Sequence, residues 1–175
     1  MKNREFSFYI GGIKEVMPTD NKFTLEKLNQ LVRSTTYIEK VQALRAGDKS
    51  LKSTLDYITP AGTFTSRSNA ALIERSGVFC LDFDHVSDLR TLKANLIQRI
   101  TPTLFFDSPS GHGLKVFYCI NAEAGSHSDY FKSFQNYFHV EMNLEIDKQC
   151  SDVARACFLS WDNNSFYSES APELD

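Results

Sequence analysis

Two aspartates, Asp82 and Asp84, stand one residue apart at the end of the apolar run Val78-Phe79-Cys80-Leu81. Side chains alternate faces along a β-strand, so an Asp-x-Asp at a strand end sends both carboxylates to one side. Two anions that close repel, and burial raises their pKa values unless positive charge stands between them. A hard divalent cation such as Mg²⁺ or Mn²⁺ meets that need, because such cations take carboxylate oxygens. The plainer alternative is a strand that ends in a solvated acidic turn.

Two further segments carry polar residues suited to the same chemistry. Ser110-Gly111-His112, followed by Lys115, lies in the glycine-containing stretch 108–113. Such a turn lets backbone approach a ligand and offers amide groups to an anion. A hydroxyl, an imidazole and an ammonium beside it suit phosphates. The last segment holds Ile146-Asp147, then Asp152 and Arg155. A third carboxylate completes a ligand set for one or two divalent ions, and two such ions clamp the oxygens of a phosphoryl displacement. Asp147 and Asp152 both stand where that acid belongs. Arg155 either braces a phosphate with its planar fork or pairs with Asp152. Each piece also has an ordinary reading: turn composition, a surface histidine, a solvent-facing lysine, an acid in a polar stretch.

The elements that must position these residues follow from periodicity. Glu5–Ile10 alternates as a strand, and Gly11-Gly12 ends it. Thr24 caps a helix with Leu25, Leu28, Leu31 and Val32 on one stripe, and a second helix covers Ile38–Leu44. Leu55–Thr65 is β-like with a turn at Pro60-Ala61-Gly62, and Ser68–Glu74 reads as a short helix. Leu89, Leu92, Leu96, Ile97 and Ile100 share a helical face. Thr103–Asp107 and Leu114–Ile120 are strands joined by a tight turn, too short for a parallel crossover. Phe131, Phe134 and Phe138 share another helical face, and Phe158–Trp161 is a final strand. The result is an α+β fold, with helices on one face of a mostly antiparallel sheet and the other face available.

A chain of 175 residues, 42% hydrophobic, sustains one folded domain with a proper core. Its net charge of −3 advertises no general affinity for nucleic acid, so any such contact is local. Cys80, Cys119, Cys150 and Cys157 form no C-x-x-C pair and read as buried free thiols in a reducing compartment. The start, Met1 to Glu5, lacks a secretory apolar stretch, and no run of about 18 apolar residues occurs. These features predict a cytoplasmic protein with no membrane partner.

Asp-h-Asp, then Ser-x-His, then h-Asp (h hydrophobic) resembles the three-motif pattern of the archaeo-eukaryotic primase superfamily and its prim-pol branch. More closely, residues 59–162 resemble the VirE amino-terminal domain family. The stretches that carry the likeness are Ile58–Phe64, Ser76–Asp84, Ser108–Lys115 and Asp152–Ser160. The resemblance implies an RRM-like, primase-like catalytic core. It implies that Asp82, Asp84 and Asp147 hold Mg²⁺ or Mn²⁺ and that Ser110 and His112 meet a nucleoside triphosphate. Lys115 and Arg155 join the nucleotide-binding set on charge grounds. The activity implied is nucleotidyl transfer on single-stranded DNA in the replication of mobile elements. On this reading the chain is one domain, a helical extension over 1–50 and a core over 51–165. It is expected to be the N-terminal part of a longer protein or to work beside a helicase or ATPase, since no Walker loop is present.

Two other functions fit the same residues. One is a catalytically inactive DNA-binding or assembly module on the same fold. The other is a haloacid-dehalogenase-type phosphohydrolase, in which Asp82 is the nucleophile and Asp84 the acid. That chemistry belongs to a doubly wound parallel fold, against which the tight 108–113 turn argues.

Overall fold

The structure, a computed structural model, describes residues 4–175, so Met1 to Asn3 of the amino-terminal reading lie outside it. The strands are β1 (Phe6–Tyr9), β2 (Lys22–Phe23), β3 (Tyr57–Thr59), β4 (Gly62–Phe64), β5 (Leu72–Arg75), β6 (Val78–Phe83), β7 (Leu104–Asp107), β8 (Leu114–Cys119), β9 (Cys157–Phe158) and β10 (Phe166–Tyr167). The helices are α1 (Leu25–Arg33), α2 (Ile38–Arg45), α3 (Leu89–Arg99) and α4 (His127–Met142). One sheet has the order β2-β1-β3-β9, a second β10-β7-β8-β6, and β4 and β5 form a separate ribbon. Every pairing between these strands is antiparallel. The protein is therefore a mixed α+β fold built on antiparallel sheets, and the parallel doubly wound alternative has no counterpart in it.

The second sheet positions the candidate residues. Along β6, Phe79, Leu81 and Phe83 point to one face while Val78, Cys80 and Asp82 point to the other. The first set packs with Leu92 and Leu96 of α3 and with Phe131, Phe134 and Phe138 of α4. The opposite face is also covered, which corrects the expectation of a free face. There Val78, Leu104, Phe106 and Phe117 pack against Phe6, Phe8 and Ile58 of the first sheet. Leu25, Leu28 and Val32 of α1 and Val41 and Leu44 of α2 complete that layer. The reason lies in composition: β6, β7 and β8 are largely apolar on both faces, and the only β6–β8 charges on this face, Asp82 and Lys115, neutralise each other, so the face is covered.

In this sheet β8 lies between β6 and β7, and β10 joins beside β7, leaving β6 at the edge. That order does not carry the RRM-like detail. Two other expectations change. Ser68–Glu74 is a single 3₁₀ turn over Asn69–Ala71 followed by β5, because Thr63 and Glu74 pair in a ladder rather than a helix forming. Of the strand expected over Phe158–Trp161 only Phe158 pairs, with Tyr57, and the strand begins one residue earlier at Cys157, opposite Ile58.

Local chemistry explains the helix ends. The Thr24 hydroxyl accepts from the Lys27 amide at 3.3 Å and starts α1. Ser126 and Asp129 form a reciprocal capping box on α4. That helix stops at Asn143, whose φ of 50° is left-handed, and the chain turns towards Asp147.

Candidate metal and phosphate site

The β6–β8 register sets Asp82 opposite Lys115. Residues directly opposite in an antiparallel pair share a face, so the two side chains meet and form an ion pair. Both are buried, at 3% and 7% exposure, so their pairing is a structural requirement rather than a surface event. Burial alone would lower the Lys115 ammonium, but the Asp82 carboxylate outweighs it and holds it above its ordinary value. Lys115 is thus engaged with Asp82, where the sequence suggested a phosphate contact.

Arg155 links the first acid to the third. Its Nη2 donates to Asp82 Oδ2 at 3.0 Å and to Asp147 Oδ2 at 2.6 Å, and its Nη1 donates to Gln149 at 2.9 Å. The Asp147 backbone N–H donates to the Asp82 carbonyl at 3.0 Å. Asp147 also caps a 3₁₀ turn over Lys148–Ser151, its Oδ1 accepting from the Gln149 amide at 2.9 Å. Burial would raise the Asp147 carboxyl, but this amide and Arg155 outweigh it and hold it below the usual carboxylate range. Asp152 is exposed, and its carboxylate accepts from the Ala154 amide at 3.3 Å. The geometry therefore brings Asp147, not Asp152, to the pair.

Asp84 follows β6 and is exposed; the chain turns away at His85, whose φ of 53° is left-handed. Oxygens of Asp82, Asp84 and Asp147 all lie within 4.8 Å of one another. Three carboxylates against Lys115 and Arg155 leave one negative charge uncompensated. One atom of the cluster lacks a partner. Asp82 Oδ1 is buried and has no hydrogen-bond partner among the described residues, although Oδ2 takes both cations. Leaving a buried carboxylate oxygen unsatisfied is costly, and an oxygen-seeking cation is the kind of partner that relieves it. The donor set, all carboxylate, suits a hard cation rather than a soft metal.

The 108–113 turn abuts this cluster. Ser108 N–H bonds the Gly113 carbonyl at 2.8 Å, Gly111 N–H bonds the Ser108 carbonyl at 2.9 Å, and Gly111 has a φ of 79°. A Cβ at Gly113 would lie 2.5 Å from the Phe83 carbonyl and 3.4 Å from Asp84 Oδ1, so only glycine lets the turn come this near. The His112 carbonyl accepts from Val86 at 3.0 Å, fastening the turn to the loop behind Asp84. The Ser110 hydroxyl pairs with Ser108 at 3.1 Å, and the His112 ring is exposed. The Ser110 and His112 amides make no hydrogen bond among the described residues.

One residue escaped the sequence reading. Arg45, at the end of α2, donates to the carbonyls of Pro109 and Ser108, both at 3.3 Å, and to that of Trp161 at 3.2 Å. It holds the turn from outside. In the sequence it showed only as a basic residue in a last helical turn, a position with its own electrostatic explanation.

A family model for the BT4734-like N-terminal domain matches residues 50–167, more than half of the chain. The chain belongs to the BT4734-like N-terminal domain family. This corrects the likeness to the VirE amino-terminal domain family, since the match is to a different family and nothing in it speaks for the primase superfamily. Short motifs with one free hydrophobic position are compatible with many antiparallel hairpins beside an acidic strand end. No curated protein and no solved structure matches the chain. The BT4734-like segment contains Asp82, Asp84, Ser110, His112, Lys115, Asp147 and Arg155, whereas Arg45 precedes it. None of the helices is long and apolar enough to cross a membrane among the described residues.

Proposed function

We propose that this site performs divalent-metal-dependent nucleotidyl transfer, from a nucleoside triphosphate to a hydroxyl of single-stranded DNA. The observation that carries the reading is the buried, unpartnered Oδ1 of Asp82, on a carboxylate that converges with those of Asp84 and Asp147. Asp82, Asp84 and Asp147 are the ligands, and the bound Mg²⁺ or Mn²⁺ supplies charge neutralisation for phosphate oxygens. The chain's own residues do the rest. Lys115 and Arg155 hold the Asp82 and Asp147 carboxylates in place, so the site is set before substrate arrives. The unbonded amides of Ser110 and His112, with the exposed imidazole, are the groups offered to the triphosphate. A helicase or ATPase that exposes the strand belongs to the same proposal.

A second reading, a nucleotide- or DNA-binding module without catalysis, draws on one observation. Lys115 and Arg155 already neutralise most of the acidic charge, so the cluster is held together by the chain itself.

The test is nucleotide incorporation on a single-stranded template with Mg²⁺ or Mn²⁺, run beside thermal melting with Mn²⁺ and nucleoside triphosphate. Incorporation by the wild type, lost in Asp82→Ala/Asp84→Ala, is the expected result. A Mn²⁺-dependent melting shift without incorporation selects the binding module. No shift, or a shift that survives in the double variant, removes the metal site altogether.

A further inference from the structure

Two cysteines that the site does not use stand together beside it. Cys80, on β6, and Cys157, on β9, come from different sheets and lie 77 residues apart in sequence. Their sulphurs are 3.9 Å from each other, the Cys80 Sγ–H directed at Cys157 Sγ. A small cavity of about 20 Å³ reaches both, bounded further by Pro60, His127, Cys150 and Arg155. That is room for a water-sized guest. Both sulphurs border this cavity, and Cys80 is the less buried of the two residues.

We propose that Cys80 and Cys157 are an oxidisable dithiol, modified by hydrogen peroxide or another small hydroperoxide to an inter-sheet disulfide. In the first step the Cys80 sulphur attacks the peroxide, forming an S–O bond as the O–O bond breaks. The thiol proton leaves with the released oxygen as water, and Cys80 becomes a sulfenic acid. In the second step the Cys157 sulphur attacks Cys80 Sγ, forming the S–S bond while the hydroxyl departs with the Cys157 proton as a second water. Peroxide is the only oxidant, reduced to two waters as two thiols lose two electrons. The sulphurs must close from 3.9 Å to a bond of about 2 Å.

The placement gives the modification a target. Cys80 precedes Asp82 by two residues on the same strand face, and Cys157 follows Arg155 by two. The cross-link would tie together the segments that carry the Asp82–Arg155 ion pair. It goes beyond the nucleotidyl-transfer reading and stands or falls separately from it.

The experiment is peroxide treatment of the full wild-type chain, alkylation of the remaining thiols, and digestion without reductant. The expected map joins the peptides of Cys80 and Cys157, two hydrogens lighter than their sum, with Cys119 and Cys150 alkylated. Dithiothreitol before alkylation restores four modified cysteines, and Cys80→Ser abolishes the joined peptide. Full alkylation of Cys80 after peroxide overturns the proposal. So does a link through Cys150, or a sulfinic acid at Cys80 without any link. None of these readouts depends on metal or nucleotide.

Discussion

The backbone amide of Asp147 donates to the backbone carbonyl of Asp82 at 3.0 Å. The segment bearing the third carboxylate is thereby fixed to the strand bearing the first, independent of either side chain. A distance between two acids is usually set by what lies between them. Here it is set by the main chain.

Asp82 and Asp84 are expected to separate stability from ligand binding. Asp82→Ala leaves Lys115 buried without its carboxylate and costs about 3–5 kcal/mol. Asp84→Ala, at an exposed position, changes stability by no more than about 0.5 kcal/mol. Urea unfolding measures both costs. Both variants are expected to lose the Mn²⁺-induced melting shift, so Asp84→Ala isolates the ligand role.

Gly113→Ala places a methyl 2.5 Å from the Phe83 carbonyl, a backbone atom that cannot rotate away. The turn must lift off the strand end, and the expected cost is about 1–3 kcal/mol, the range for overpacking. Thermal melting reads the loss. A weaker response to nucleoside triphosphate at matched folded fraction reads the displaced turn.

Arg45→Ala removes three hydrogen bonds to carbonyls, all at the long end of the range. A loss of about 1–2 kcal/mol follows. Amide exchange at Gly111, whose N–H is bonded within the turn, is expected to quicken. Arg45→Lys does not restore it, because a single ammonium cannot reach three acceptors set around a planar fork.

His127 gives the protein an acid sensitivity. Its ring stacks on Phe79 at 4.4 Å, and its Nε2–H donates to the Cys150 carbonyl at 2.9 Å. Burial lowers its pKa below the ordinary value, so the unfolded chain binds the proton more readily. The stability is present above the unfolded value of about 6.5 and falls as pH drops below it towards the folded value. His127→Phe keeps a ring against Phe79 and removes the titration. Melting temperature between neutral pH and pH 5 is expected to fall less steeply in the variant.

Much of this arrangement was legible in the residues. The helical stripes of α1 and α4 and the 103–120 hairpin follow from apolar spacing of 3.6 and 2, and burial enforces both; on α3 Leu92 and Leu96 are buried, but Ile97 of the expected stripe is exposed. The pairing of Asp82 with Asp84 follows from strand alternation. The choice between Asp147 and Asp152 was not legible. Both sit beside one 3₁₀ turn in a polar stretch, and a long-range backbone bond to Asp82 decides between them. Arg45 was hidden for a similar reason: its acceptors are carbonyls, which have no side-chain signature, in segments 63 or more residues away. Lys115 needed the β6–β8 register, which no local pattern contains. The family likeness was carried by four stretches over residues 59–162, whereas the family model spans residues 50–167 and is a different one.

The covering of the central sheet by the amino-terminal layer sets a limit on how this domain can be cut. A polypeptide confined to residues 50–167 would lose β1, β2, α1 and α2, and with them the wall over Phe106 and Phe117. It would also present β3 with no β1 neighbour, an open ladder edge that other chains can join. Such a fragment is expected to be insoluble, since a wide bare apolar face drives association. The stretch by which the family is recognised is thus not a portable unit, and fusions or expression vectors need the preceding segment as well.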